Sequence, residues 1–184
     1  MIRRPPRSTQ GVSSAASDVY KRQVLKIRQA LYNFEATDHV PLRHAFELVQ
    51  QINGIDFIDD SKATNVAATR AALRSVPTNG RQILLIMGGY DKGNDYTPLI
   101  ELVKSRVKVL ILLGQQTQTI RNALSGCVVT LNTPTMELAV KQAFQTAVSG
   151  DTVLLSPANA SYDMFTDYKH RGFAFQQAIA QLEE

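Results

Sequence analysis

A single cysteine, Cys127, is all the thiol chemistry this 184-residue chain contains, so no intramolecular disulfide can form. It falls in Gly126-Cys-Val-Val-Thr-Leu131, an apolar run that reads as a buried strand with the cysteine as a small core residue. A reducing, cytoplasmic setting is the expectation. No apolar stretch approaches the roughly 20 residues that a membrane-spanning helix needs. The P-loop pattern Gly-x-x-x-x-Gly-Lys-Ser/Thr occurs nowhere, and there is no internal repeat. His39, His44 and His170 sit in polar contexts that read as exposed, His170 on the surface of the last helix. They form no Ser/His/Asp order of the kind a hydrolase triad requires.

A basic body is also missing. Residues 1–23 carry Arg3, Arg4, Arg7, Lys21 and Arg22 against Asp18, which accounts for the entire formal charge of +4. Residues 24–184 are neutral, which argues against a nucleic-acid-binding face on the folded part. The basic leader has no apolar core and so is not a secretory signal. It resembles translated adaptor or vector sequence and is expected to be foreign and disordered.

What is present is an alternation of strand and helix signals in a chain that is 44% hydrophobic and long enough for one domain with a real core. Val24–Leu31 reads as the tail of a helix and 34–43 as a polar linker. Phe46–Val49 is either helix or strand. Strands are expected at Ile55–Asp59, Ile83–Met87, Val107–Leu113, Cys127–Leu131 and Thr152–Leu155. Helices are expected at Asn65–Ser75 with Thr64 as cap, from Pro98 to Lys104, at Gln116–Leu124, at Pro134–Val148 with Thr133 as cap, and at Thr166–Gln181. Continuous apolar strands separated by helices imply a doubly wound, Rossmann-like α/β domain: a mostly parallel sheet with helices on both faces.

Three polar clusters follow three of these strands: Asp60-Ser-Lys-Ala-Thr-Asn65, Gly88-Gly-Tyr-Asp-Lys-Gly-Asn-Asp95 and Ser156-Pro-Ala-Asn-Ala-Ser-Tyr-Asp163. Loops after parallel strands share one edge of a sheet, where such folds bind ligands, so residues a hundred positions apart can surround one small molecule. Their common chemistry is anion handling by lysines, hydroxyls and freed backbone amides. Taken singly, each cluster also reads as an ordinary cap, glycine turn or small-residue turn. Asp91 and Asp95 are spaced too loosely to argue for a metal.

Together with Arg171-Gly172-x-x-Phe175, these runs resemble the C-terminal domain of the Mur ligases over about residues 45–182. Within that family they resemble the branch that adds D-glutamate to UDP-N-acetylmuramoyl-L-alanine. The resemblance implies an ATP-dependent ligase of peptidoglycan precursor synthesis, cytoplasmic, monomeric and bound to neither membrane nor nucleic acid. ATP would phosphorylate the substrate carboxylate, and the amine of D-glutamate would attack the acyl phosphate. By the resemblance Thr64, Lys92 and Ser161 hold the side-chain carboxylate region of D-glutamate, with Tyr162 beside Ser161 and Tyr168 along the ligand. Asp60, Lys62 and Asn65 face the nucleotide. No catalytic side chain and no metal ligand is assigned within this chain.

The family's P-loop and its ligands for ATP and Mg2+ belong to a central domain. Residues 24–44 would then be the end of that domain and its linker, and 45–184 the C-terminal domain, expected to be inactive as a ligase alone. Asn159 stands where many relatives have Cys, and Tyr162 where Leu or Phe is usual. The family's nucleotide-contacting Arg of a His-Arg pair has no counterpart in His39-Val40 or Arg43-His44-Ala45. The alternatives are another ligase of the superfamily, including the folate-glutamylating kind, or a stand-alone Rossmann-like binding module.

Overall fold

Strand runs without polar interruption can sit only in the middle of a covered sheet, and this governs the architecture. A computed structural model describes residues 42–78, 82–115 and 117–182, all within one compact unit, Leu42–Glu184. The leader, the 24–31 helix tail, most of the 34–43 linker, His39 and Gln116 lie outside the described residues.

The elements run β1 (Glu47–Ile52), β2 (Ile55–Asp59), α1 (Val66–Ser75), β3 (Ile83–Gly88) and a 3-10 turn (Thr97–Leu99) leading into α2 (Ile100–Arg106). They continue as β4 (Val107–Leu113), α3 (Gln118–Ala123), β5 (Val129–Thr133), α4 (Met136–Thr146), β6 (Thr152–Ala158) and α5 (Tyr168–Ala180). The sheet order is β1-β2-β6-β3-β4-β5, with β1 antiparallel to β2 and every other pair parallel. This is the α/β fold expected from the alternation.

All six residues of β3 are buried, and alternate side chains feed opposite cores. Ile83, Leu85 and Met87 pack with Leu73, Leu99, Val103 and Leu110 on one face. Leu84 and Ile86 pack with Phe57, Ile111, Val140 and Phe175 on the other. Each fully buried Leu or Ile stabilises by about 1.5–3 kcal/mol, so the central strands anchor the edge that carries the loops.

Of the two readings left open for Phe46–Val49, strand holds for Glu47–Val49, while Phe46 precedes the strand with φ 52°. β1 forms a hairpin with β2 through Asn53-Gly54, whose φ values of 51° and 78° are those a type I′ turn demands. Other local expectations are corrected. The cap of α1 is Asn65, not Thr64; its side chain accepts from the Ala68 amide at 2.9 Å. Thr135 rather than Thr133 caps α4, because β5 keeps Thr133 extended opposite Leu113. Cys127 is buried but precedes β5. β6 continues through Ser156 to Ala158, so the third cluster begins as strand rather than loop.

Candidate functional site

Because β6 lies between β2 and β3, the three polar clusters leave adjacent strand ends. They are also stitched together. Asp60 donates its amide to Leu155 O at 2.8 Å, and Tyr90 donates its amide to Ala160 O at 2.8 Å. Asn159 Oδ1 accepts from Asn94 Nδ2 at 2.7 Å and from the Tyr96 hydroxyl at 2.8 Å. Ala158, at the turn into the third loop, adopts φ 63°, a strained value for a residue with a Cβ. Gly89 permits the close approach of the second loop, since a Cβ there would collide with Ala160 O.

Beneath the loops lies Arg171, 1% exposed. Its guanidinium donates to Ser61 O at 2.8 Å and, through both terminal nitrogens, to Asn159 O at 3.1 Å. Burial lowers its pKa to about 10, while the charges of Asp163 and Asp59 hold it up, so it stays a cation at neutral pH. Asp163 is half-buried nearby; desolvation raises its carboxyl pKa, and Arg171 pulls it back. The cavity they border, about 10 Å3, admits nothing larger than water.

A larger cleft of about 150 Å3 opens above, lined by Thr64, Lys92, Ala160, Ser161, Tyr162, Asp167 and Tyr168. Five of the residues singled out from sequence, Thr64, Lys92, Ser161, Tyr162 and Tyr168, thus meet at one place. Lys92 Nζ stands 6.0 Å from the centre of the Tyr162 ring. The other three diverge. Lys62 and Asn65 are exposed without lining the cleft. Asp60 is buried, its carboxylate accepting from Ser156 Oγ at 2.8 Å and the Phe46 amide at 3.2 Å.

Burial raises the Asp60 pKa to about 6; the bonds from Ser156 and Phe46 lower it, and neighbouring Asp59 adds to the rise. The folded pKa exceeds the ordinary 3.8, so Asp60 contributes stability that is complete below about pH 4 and lost as pH rises through 6. Asp60→Asn should therefore stabilise the domain at about pH 7.5, by roughly 1–2 kcal/mol, with the gain vanishing near pH 4. Urea unfolding at the two pH values reads this directly, and a variant equally unstable at both would refute it.

His44, expected to be exposed, is buried and shares a 2.7 Å hydrogen bond with Asp59 Oδ2. Gln176 Nε2 donates to the same oxygen at 3.1 Å, and the Ser61 amide donates to Asp59 Oδ1 at 2.9 Å. Glu47 accepts from the His44 amide at 2.8 Å. His44, Glu47 and Asp59 form the metal-capable group among the described residues. It does not fit a cation. Its atoms satisfy one another, and the backbone of Gly172 closes it so tightly that a Cβ would meet His44, Ser61 and Asp59 at once. Arg43 is exposed, outside the cleft.

Sequence reasoning missed Asp167 in the cleft, and Arg171, Asp59 and His44 as its supports. Asp167 had a readable signal, a cap residue immediately before a helical run. The supports join residues up to 110 positions apart, which no local pattern records.

The family described as "Mur ligase, glutamate ligase domain" matches residues 45–159. The UDP-N-acetylmuramoylalanine–D-glutamate ligase of Hahella chejuensis is 47% identical over 142 residues, which are 77% of this chain and 32% of that protein. Its counterpart in Coxiella burnetii is 43% identical over 146 residues, 79% of this chain and 33% of that protein. The chain therefore spans about a third of the length of these relatives. Among solved structures, a murein peptide ligase from Psychrobacter arcticus matches with TM-score 0.56 at 14% identity, covering 80% of this chain and 30% of that one. The bifunctional folylpolyglutamate synthase/dihydrofolate synthase of Yersinia pestis matches with TM-score 0.53 at 16% identity, covering 80% and 32%. At such identities the likeness speaks for the fold alone. From the matched span and the identity of its relatives, the chain belongs to the Mur ligase family, as a glutamate ligase domain.

Proposed function

We propose that this chain is the D-glutamate-binding part of an ATP-dependent ligase that joins D-glutamate to UDP-N-acetylmuramoyl-L-alanine in peptidoglycan precursor synthesis. The observation that carries the reading is the convergence of Thr64, Lys92, Ser161, Tyr162 and Tyr168 on one cleft of about 150 Å3. Drug-sized ligands occupy pockets of roughly 300–1,000 Å3, and the smaller volume of this cleft is in keeping with an amino acid. The relatives named as D-glutamate ligases support D-glutamate as the substrate.

In this reading Lys92 neutralises a carboxylate of D-glutamate, and the hydroxyls of Thr64 and Ser161 donate to it. Tyr168 and Tyr162 flank the carbon chain and exclude water from it. The domain's contribution to the reaction is to deliver the amine in a fixed orientation, an entropic gain, while charge at the distal carboxylate is balanced. Inward-turned Asp60 and the closed His44 group offer no fit to ATP or Mg2+. Their binding is assigned to the P-loop domain of the enzyme, and the substrate carboxylate would be activated there. The reaction runs in the cytoplasm. No helix among the described residues is long and apolar enough to cross a membrane.

Lys92 is exposed, so binding by this chain is expected to be weak, in the millimolar range. Lys92→Met keeps a side chain of similar length and removes the charge. It should weaken D-glutamate binding about tenfold, or roughly 1.4 kcal/mol, in an NMR titration. An unchanged affinity would refute the assignment of Lys92.

A further inference from the structure

We propose that Asp167 holds the ammonium group of the bound amino acid and so makes the cleft selective for amino acids over plain dicarboxylates. The inference rests on the D-glutamate reading above and adds a residue to it. Two formal charges line the cleft, Lys92 and Asp167. Neither makes an ion pair with the other or with any other described residue. A single cleft that displays one cation and one anion, unpaired, complements a ligand that itself carries both signs. Four hydroxyls complete the lining, from Thr64, Ser161, Tyr162 and Tyr168, and can satisfy the remaining carboxylate oxygens.

Asp167 is held in place by its role at the helix start. Its Oδ1 accepts from the His170 amide at 2.7 Å as the cap of α5, where the helix dipole favours negative charge. Among the described residues this is the one hydrogen bond of its carboxylate, made through a single oxygen, while its backbone carbonyl accepts from the Arg171 amide at 3.2 Å. Capping needs an acceptor atom but no charge, because asparagine caps as well as aspartate. Binding an ammonium needs the charge. One substitution therefore separates the two roles.

The test compares D-glutamate with glutarate, the same dicarboxylate without its amine, in NMR titrations of the 184-residue chain and its Asp167→Asn variant. The parent should prefer D-glutamate over glutarate by roughly threefold to tenfold, the range for a partly solvated charge pair. Asp167→Asn should erase that preference, leave glutarate binding equal or stronger, and keep the unfolding temperature of the parent. Equal affinities of the parent for both ligands would overturn the proposal, as would a variant that loses both equally or melts earlier. Failure of the parent to bind either ligand would sink the D-glutamate reading itself, an outcome distinct from the loss of selectivity alone.

Discussion

Arg171→Met should lower the unfolding free energy by about 3 kcal/mol and the melting temperature by roughly 6–12 °C. Methionine fills similar space, so the loss is one of hydrogen bonds and charge. Ser61 O and Asn159 O would be left in the interior without their donors, each at a cost of about 1–3 kcal/mol. Half-buried Asp163 would lose the positive charge that offsets its desolvation. Opposing these, a buried guanidinium no longer has to be desolvated. The stranded acceptors outweigh that gain, because breaking one side of a buried charged network typically costs about 3–5 kcal/mol. Adding Asp163→Asn should recover part of the loss, since the orphaned carboxylate is then gone. Denaturant unfolding of the single and double variants measures both effects. A single variant as stable as the parent would show that Arg171 is not what ties the first and third loops together.

Gly172→Ala should also destabilise, by about 2–3 kcal/mol, against the usual rule for helices. In the interior of a 13-residue helix, alanine is worth about 1 kcal/mol more than glycine. Here the methyl group would be driven into His44 Nδ1, with Ser61 Oγ and Asp59 Oδ2 at 2.6 and 2.7 Å. These atoms cannot swing away cheaply, because Asp59 is fully buried and bonded through both oxygens. The rings of His44 and Tyr168 lie edge to face at 6.4 Å, so the disturbance should reach the cleft. Circular dichroism melts would check the sign. A variant more stable than its parent would mean that the polar group behind α5 is slack.

The sequence disclosed the parts of this molecule that are governed by short-range periodicity. The bounds of Ile55–Asp59 and Val107–Leu113 follow from mainly apolar runs, broken inside only by Asp56 and Lys108, and the structure reproduces both. The cleft was legible for a topological reason: polar clusters after parallel strands must lie along one edge, whatever their separation along the chain. Caps slipped by one or two residues because Thr64-Asn65 and Thr133-Pro-Thr135 each offer two candidates, and only strand pairing decides between them. The β1–β2 hairpin was readable in Asn53-Gly54 and was missed for want of weighing that pair.

What local reasoning could not supply was the buried polar layer. His44 looks exposed because it follows Arg43 at the end of the polar 34–43 linker. It is buried because Asp59, fifteen residues on, gives it a partner and α5 covers it. Asn159 stands in a small-residue loop where many relatives have Cys, yet it accepts from Asn94 and Tyr96 while its carbonyl accepts from Arg171. A polar side chain is affordable in the interior only when its partners arrive from elsewhere in the chain. Those partners are a property of the fold and not of any window of sequence.

The claim on which the functional account stands is that three loops build one amino-acid site. The direct measurement is a backbone amide NMR titration of the 184-residue chain with D-glutamate. The account predicts saturable shifts concentrated at Thr64, Lys92 and Ala160–Tyr162 and at the start of α5 around Tyr168. Shifts centred at the opposite end of the strands, around Gly54 and Gly150, would contradict it.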